Sequence, residues 1–148
     1  MTEKYSIPVI YSLHPRSRKY IEQRNFIFHP FVRTLEPFSF SDYNKLQKEA
    51  LCVVSDSGTL AEESAILHFS AVSIRTSTER PEALEKGGFI IGSIFEQTLL
   101  QSIEMQISMY NNNEPALNVP DYSDSNVSMK IVKLIQSYVD IINRKVWN

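Results

Sequence analysis

Short apolar runs alternate with segments of helical spacing along this chain, and the alternation restricts the possible folds more than any other feature. Run 51–55 has no polar alternation, as expected of a strand that is buried on both faces. Strands that alternate with helices form parallel βαβ units, so the pattern predicts an α/β fold with helices on both faces of a parallel sheet. The predicted strands are 7–13, 31–35, 51–55, 71–74 and 89–92.

Helical segments are predicted between the apolar runs from the spacing of their apolar residues. Pro81 suits the first turn of a helix, and Gly87 and Gly88 would end that helix. Ser41 and Ser125 are the expected N-caps of two further helices, because a serine hydroxyl can accept from the free amides of a first turn. Apart from the two helices that begin at Ser41 and Ser125, the predicted helices are 18–24, 59–68, 81–86 and 96–110.

The composition indicates one globular domain and argues against several functional classes. The chain has 148 residues, of which 43% are hydrophobic and 22% charged, so it contains enough apolar material for a core. A net charge of −2 argues against a protein that coats nucleic acid. No apolar run reaches the roughly 18 residues of a membrane span. The first residues contain no signal-peptide pattern, so we expect a cytoplasmic protein without nucleic-acid or membrane partners.

Cysteine and histidine usage predicts neither a disulfide nor a metal site. Cys52 is the only cysteine, so it cannot form an internal disulfide, and its place in an apolar run predicts a core position. His29 and His68 have no partner at ligand spacing, and the sequence contains no HExxH-type motif. We therefore expect no bound metal.

The N-terminal part of the chain is basic although the whole chain is acidic. Residues 1–35 carry six lysines and arginines against two glutamates, a net charge of +4. His14 follows the first predicted strand and has Arg16 and Arg18 beside it, so these side chains could bind a phosphate. A solvated basic face with a polar loop histidine explains the same pattern, and both interpretations stay open.

The turn after the third predicted strand is the strongest candidate for a ligand site. Ser57, Gly58 and Thr59 lie between an apolar strand and a helix that begins at once. Free amides at a helix start and nearby hydroxyl groups favour an anion, and glycine lets the anion approach the backbone. In open α/β sheets, ligands bind at this edge. The alternative is an ordinary helix start with Ser57 as its N-cap.

A second hydroxyl-rich loop follows the fourth predicted strand and leads into the helix that begins with Pro81. Arg80 lies in this loop and could offer a bidentate guanidinium to a phosphate. A surface ion pair of Arg80 is the alternative that the spacing leaves open. Glu82 and Lys86 are four residues apart on a solvated helix face, and we interpret them as a structural pair.

Two motifs in this order resemble the non-hydrolysing UDP-N-acetylglucosamine 2-epimerase family. Residues 55–63 read SDSGTLAEE and residues 78–83 read TERPEA. The family has D-S-G-G-x-x-E-E and T-E-R-P-E-A segments at the same separation. Segments 14–18 (HPRSR) and 36–43 (EPFSFSDY) look most like the capsule and O-antigen branch of that family. The resemblance covers about residues 5–145.

The resemblance implies two Rossmann-like domains that face each other across a cleft, as in GT-B glycosyltransferases. Residues 1–148 would be the single UDP-binding C-terminal domain of such an enzyme, a three-layer parallel α/β unit, with the N-terminal catalytic half absent. The implied ligand is a UDP-amino sugar, and the implied partner is the N-terminal epimerase domain. Full-length family members tend to form homodimers. No cofactor or metal is implied.

The resemblance also assigns roles near the phosphates. Ser57, Gly58 and Thr59 would hold the diphosphate at the helix start, and Arg80 would add positive charge to the same phosphates. His14 would line the cleft near the phosphates and the sugar as a candidate catalytic residue, while the main acid and base lie in the absent half. The second glycine of the family motif is Thr59 here, and the common H-R-R-E-N sequence reads H-P-R-S-R.

Nucleoside recognition and the reaction follow from the same resemblance. Glu63 would accept hydrogen bonds from the ribose hydroxyls, Tyr43 would stack on uracil, and the backbone at Phe38 would read the uracil edge. The implied reaction is anti elimination of UDP to a 2-acetamidoglucal, followed by re-addition with inversion at C2 of the sugar. It would serve surface polysaccharide precursor synthesis, and the chain alone is expected to be inactive.

Two other functions remain open from the sequence. The chain could be the donor-binding half of a GT-B glycosyltransferase, which would share the fold and the UDP site. It could also be a non-catalytic module that senses UDP-sugars. The paired motifs 55–63 and 78–83 favour the epimerase over the glycosyltransferase.

Overall fold

Parallel strands alternate with helices throughout the computed structural model, which describes residues 5–112 and 119–147. The α/β class predicted from the sequence is confirmed. The strands are β1 (Val9–Ser12), β2 (Val32–Leu35), β3 (Val53–Ser55), β4 (Ala71–Ser73) and β5 (Ile90–Ile91). The helices are α1 (Pro15–Gln23), α2 (Phe40–Glu49), α3 (Leu60–Leu67), α4 (Pro81–Glu85), α5 (Glu96–Asn111) and α6 (Val127–Val146), with a 3₁₀ turn at Pro120–Tyr122.

The strands form two parallel sheets within the described residues, whereas the sequence pattern predicts a single sheet. β1 pairs with β2, and Val9 lies opposite Val32. The second sheet has the order β3-β4-β5, with all three strands parallel. Because parallel strands end at the same edge of a sheet, the loops after β3 and β4 lie side by side.

Helices cover both faces of the β3-β4-β5 sheet, as the sequence predicted. Ala71 and Val72 are neighbours in β4, so their side chains point to opposite faces. Val72 packs with Ile103 and Ile107 of α5. Ala71 lies in the cluster on the other face, formed with α3 and α4 by Leu60, Ala61, Ala65 and Ala83. The second sheet is therefore a three-layer unit.

Gly92 allows α5 to pack closely against this sheet. It follows β5, and its amide donates to the carbonyl of Ser73 at 2.8 Å. A Cβ at this position would lie 2.5 Å from Cγ1 of Val72 and 2.9 Å from Cδ1 of Leu99. Both distances are far below van der Waals contact, so a side chain at this position would force Val72 and Leu99 to shift.

Two predicted N-caps are wrong by one or two residues. Ser39, not Ser41, caps α2, because its hydroxyl accepts from the amide of Asp42 at 3.3 Å and donates to the Asp42 carboxylate at 2.7 Å. A serine three residues before an acidic residue can form both bonds, whereas Ser41 already lies in the first turn. Asn126, not Ser125, occupies the N-cap position of α6 without a side-chain capping bond, and its φ of 60° is a conformation that asparagine tolerates well.

The last helix is long and amphipathic, but it is solvent-exposed. None of the described residues of α6 is buried, and Leu134 and Ile135 are each more than half exposed. The apolar side chains of α6 are therefore exposed to solvent in the described part of the chain. No helix among the described residues has both the length and the apolar character needed to cross a membrane.

Candidate functional site

The candidate site lies where β3 ends and α3 begins. Residues 56–59 connect the strand directly to the helix, and the first helical residue is Leu60. Thr59 occupies the N-cap position but makes no capping bond with its side chain. The alternative that Ser57 is the N-cap is wrong, because Ser57 contributes only its carbonyl, to the amide of Leu60 at 3.4 Å. The positive end of the helix dipole is therefore not covered by a capping side chain.

Gly58 leaves open space at this helix start. A Cβ at Gly58 would find Nη1 of Arg75 at 3.9 Å as its nearest neighbour outside the adjacent residues. This is an ordinary contact distance, and Gly58 is not among the glycines with positive φ. The fold therefore does not itself require glycine here, and the open space lies beside a guanidinium group.

Arg75 is a candidate residue that the sequence analysis did not assign. Its Nε donates to the carbonyl of Asp56 at 2.7 Å, which ties the loop after β4 to the turn after β3. Its Nη1 also lies 3.7 Å from the carboxylate of Glu79. The available signal was positional, since Arg75 comes directly after the predicted strand 71–74, at the sheet edge where ligands bind.

Arg80 is held by an ion pair rather than by the turn at Gly58. Its Nε donates to Oε1 of Glu62, and Nη1 donates to the carbonyl of Glu79 at 3.3 Å. The hydrogen bond to Glu62 is the main reason that the pKa of Arg80 is raised. Among the described residues, no hydrogen bond joins Arg80 to Ser57, Gly58 or Thr59. The ion-pair alternative is thus observed, and the partner lies in the first turn of α3.

A chain of hydrogen bonds connects the turn to α2. The hydroxyl of Thr59 donates to Oε1 of Glu63 at 2.9 Å, and Ser57 Oγ lies 2.9 Å from Thr59 Oγ1. Because Thr59 has one hydroxyl proton and gives it to the carboxylate, Ser57 must donate to Thr59. The side-chain amide of Gln47 donates through Nε2 to Oε2 of Glu63 at 2.7 Å. Each carboxylate oxygen of Glu63 therefore accepts one hydrogen bond, Oε1 from Thr59 and Oε2 from Gln47.

Tyr43 lies at the same edge of the sheet. Burial raises the pKa of Tyr43, the negative charge of Glu63 raises it further, and a hydrogen bond with Ser55 acts in the opposite direction. These neighbours place the Tyr43 hydroxyl beside the end of β3 and the start of α3. Phe38 is half-buried and directly precedes the α2 N-cap. The fold therefore gathers Tyr43 with the turn and with Glu63.

His14 lies at the end of β1, in the other sheet, and caps α1. Its Nδ1 accepts from the amide of Arg16 at 3.2 Å. A neutral imidazole with Nδ1 as acceptor carries its proton on Nε2. No hydrogen bond between His14 and the turn 57–59 is present in the described part of the chain. The hydrogen bonds recorded for His14 in the described residues therefore stay within its own helix start.

The basic N-terminal region contains an open depression whose lining arginine is ion-paired. The depression has a volume of about 490 Å³, and its lining includes Leu13, Ile21 and Phe28. Arg18, also in the lining, pairs with Glu36, and this bond raises the pKa of Arg18. The side chains of Arg18 and Glu36 are 42% and 74% exposed, so this pair fits the interpretation as a solvated basic face. Across residues 5–112 and 119–147, no cluster of three metal-ligating side chains is found.

The fold and the polar edge of its second sheet define a Rossmann-like α/β domain. Residues 1–136 match the UDP-N-acetylglucosamine 2-epimerase family. This chain belongs to that family, as the motifs at 55–63 and 78–83 predicted.

Similarity to individual proteins agrees with this assignment. The UDP-N-acetylglucosamine 2-epimerase of Methanocaldococcus jannaschii is 29% identical over 114 residues, which cover 74% of this chain and 31% of that protein. The structure of the Rickettsia bellii enzyme superposes with a TM-score of 0.81 at 39% identity, covering 99% of this chain and 40% of the other. The M. jannaschii enzyme in complex with UDP-GlcNAc and UDP gives a TM-score of 0.78 at 26% identity, covering 92% of this chain and 37% of the other.

These shares have a direct consequence for what the chain contains. It spans about a third to two fifths of the length of the relatives that it matches. The similarity to solved epimerases, whose fold is of the GT-B type, confirms the expected fold class.

Proposed function

We propose that this chain is the UDP-binding C-terminal domain of a UDP-N-acetyl amino sugar 2-epimerase that serves surface polysaccharide precursor synthesis. One observation carries the proposal: at a helix start without a side-chain cap, the hydroxyls of Ser57 and Thr59 lie beside Gly58, where the space for a Cβ is open and a guanidinium is near. The M. jannaschii relative, which was solved with UDP-GlcNAc and UDP, supports a UDP-sugar as the ligand. The N-terminal catalytic half would come from outside residues 1–148. A homodimer of the complete enzyme and a cytoplasmic location belong to the same proposal.

The diphosphate would bind at the start of α3. Ser57, Gly58 and Thr59 would surround it, and the helix dipole and hydroxyl donors would stabilise its negative charge. Arg75 would supply a guanidinium, since its Nη1 lies 3.9 Å from the position that a Cβ on Gly58 would take. Arg80 would add positive charge from the ion pair that holds it against α3.

The nucleoside would bind between α2 and α3. Glu63 would accept hydrogen bonds from the ribose hydroxyls, because a carboxylate offers about four lone-pair sites and two are used within the chain. Tyr43 would stack on uracil from the first turn of α2. The backbone at Phe38, next to the Ser39 cap, would read the edge of the base.

The contribution of this domain to epimerisation would be to hold UDP through both halves of the reaction. UDP leaves in an anti elimination that gives a 2-acetamidoglucal, and cationic and amide donors stabilise the charge that develops on it. UDP held in place then adds back at high effective concentration, after a proton reaches the other face of C2. His14 would line the cleft near the phosphates and sugar. The main acid and base would lie in the N-terminal half.

Separate binding of the two parts of UDP tests this assignment. Tyr43→Ala should weaken the binding of uridine and UDP by about tenfold, since one stacking contact contributes roughly 1–3 kcal/mol. The affinity for inorganic pyrophosphate should stay unchanged. Titration calorimetry measures all three affinities, and a similar loss for uridine and pyrophosphate would contradict the stacking role.

A further inference from the structure

We propose that Gln47 is a positioning residue for ribose recognition, and that it acts by fixing the carboxylate of Glu63. This inference rests on the proposed UDP site and adds a residue to it. Gln47 lies on α2 one turn after Tyr43, so both side chains are on the same face of the helix. It is only 3% exposed, and its Nε2 donates to Oε2 of Glu63 at 2.7 Å.

Burial of the Gln47 side-chain amide has a cost in folding free energy, because only one side of the amide is hydrogen-bonded. Its Oε1 is buried and has no hydrogen-bond partner among the described residues. Leaving an amide oxygen unpaired in the interior is unfavourable, whereas an apolar side chain of similar size would fill the same volume without that cost. If the side-chain amide of Gln47 were flipped, Oε1 would face the Glu63 carboxylate, and the hydrogen bond from Nε2 to Oε2 would be lost. The bond to Glu63 therefore explains why an amide occupies this position.

Two bonds from different parts of the chain hold the carboxylate in one orientation. Gln47 donates to Oε2, and Thr59 donates to Oε1 at 2.9 Å. With both oxygens held, the remaining lone pairs of Glu63 point in fixed directions before any ligand binds. A pair of neighbouring hydroxyls, as on ribose, needs two acceptor sites at a fixed separation, so this arrangement lowers the ordering cost of binding.

Ligand pairs that differ only in the ribose hydroxyls test the role of Gln47. The probes are UDP, 2′,3′-dideoxy-UDP and inorganic pyrophosphate, titrated calorimetrically into the 148-residue chain. The wild-type chain should bind UDP at least about tenfold more tightly than the dideoxy compound, as expected for hydrogen bonds to a charged group. Gln47→Met, which keeps the volume, should reduce this ratio about fivefold or more. It should change the affinity for pyrophosphate by less than about twofold.

Gln106→Met is the matched control. Gln106 is also buried and donates through Nε2, to the carbonyl of Ala71 at 3.2 Å, which is the opposite end of β4 from the site. Gln106→Met removes a buried side-chain amide away from the site, so it should leave the ratio at its wild-type value. A wild-type ratio in Gln47→Met, or an equal fall in Gln106→Met, would overturn the role of Gln47. A wild-type chain that binds neither UDP nor pyrophosphate would instead overturn the proposed function itself.

Gln47→Glu tests the same bond by pH and provides a second variant if Gln47→Met does not fold. The carboxyl group that this substitution introduces can donate to Glu63 only when it is protonated, and burial next to a carboxylate favours the protonated form. The UDP to dideoxy-UDP ratio of this variant should rise as the pH is lowered from about 8 to about 5.5, while the wild-type ratio stays flat. A ratio that is independent of pH in both proteins would contradict the proposal.

Discussion

Two arginines follow β4, and their side chains are held in different ways. Arg75 reaches back to the turn after β3 and donates to the carbonyl of Asp56. Arg80 is held by Glu62 in the first turn of α3. The position of Arg80 in the TERPEA motif identified it from sequence, whereas the approach of Arg75 to Gly58 depends on contacts between residues far apart in the chain. A local pattern cannot reveal such contacts.

Replacing Arg75 should weaken diphosphate binding. Arg75→Ala removes the guanidinium beside Gly58, and a charge-assisted hydrogen bond contributes about 1.5–3 kcal/mol. We expect UDP and inorganic pyrophosphate to lose at least about tenfold in affinity, with uridine unaffected. Calorimetric titration with these three ligands measures the effect.

Arg18→Ala is the control for that substitution. Arg18 is also ion-paired, with Glu36, but lies in α1 beside the first sheet. Its removal should leave the affinity for all three ligands unchanged. If Arg18→Ala and Arg75→Ala behave alike, the effect is one of net charge and Arg75 has no specific role.

Cys52 should be unreactive in the folded chain. Burial raises the pKa of its thiol from 9.0 to about 12, so the folded state favours the protonated thiol. Because the unfolded thiol ionises near 9, this contribution to stability is present below pH 9 and is lost as the pH rises towards 12. At a pH of about 8, alkylation by iodoacetamide should be slower by about three orders of magnitude than in urea, since only the thiolate reacts. Equal rates in buffer and in urea would show that Cys52 is exposed.

The strands and helices could be predicted well because their signals are local. Apolar runs gave all five strands to within two or three residues of their observed ends, and helical spacing gave the 16-residue helix α5 within one residue. Helix starts were less accurate, since the choice between Ser39 and Ser41 depends on a reciprocal bond with Asp42. The division into two sheets depends on which strands pair, and no local pattern records that.

The candidate site was predicted in part for the same reason. Ser57, Gly58 and Thr59 are contiguous and follow a strand, so their place at the sheet edge could be inferred from sequence order. The bond between Gln47 and Glu63 joins two helices across 16 residues and was missed. Phosphate roles for His14 and Arg80 were inferred from the local pattern and from resemblance, and the structure brings neither into hydrogen-bond contact with the turn in the described part of the chain.

Gly92 and Gly58, which lie after β5 and β3, should respond differently to substitution by alanine. Gly92→Ala would place a Cβ 2.5 Å from Val72 and should destabilise the fold by about 1–3 kcal/mol. Gly58→Ala meets only Arg75 at 3.9 Å and should change stability by less than about 0.5 kcal/mol. Urea denaturation measures both values.

Gly58→Ala should nevertheless impair ligand binding. The added methyl group occupies the space proposed for the diphosphate, so UDP affinity should fall by at least about tenfold while the fold remains intact. A variant that binds UDP as the wild type does would show that the ligand does not approach the backbone at Gly58.

Within the described residues, the side chains of β4 are buried in the core, whereas those at the start of β1 are exposed to solvent. Ala71 and Val72 are fully buried, whereas Val9 and Ile10 are 40% and 46% exposed. The chain also spans only about two fifths of the solved relatives. In the proposed function the acid and base of the reaction would lie in the remaining length, and this makes a prediction about activity.

The chain alone should not exchange the proton at C2 of a UDP-amino sugar. Binding without a base and an acid at C2 leaves the C–H bond intact, so incubation with UDP-N-acetylglucosamine in heavy water should give no deuterium at C2 by NMR. Addition of the N-terminal half of a family member provides the positive control. Exchange by the isolated chain would place a catalytic base within residues 1–148.

The most direct measurement of the central claim is the response of backbone amides to the separate parts of UDP. In ¹H–¹⁵N spectra of the 148-residue chain, UDP and inorganic pyrophosphate should shift the amides of Ser57, Gly58 and Thr59, whereas uridine should shift those near Tyr43 and leave the turn nearly unchanged. Shifts at the Arg18 and Phe28 depression, with the 57–59 amides unmoved by UDP, would contradict the account.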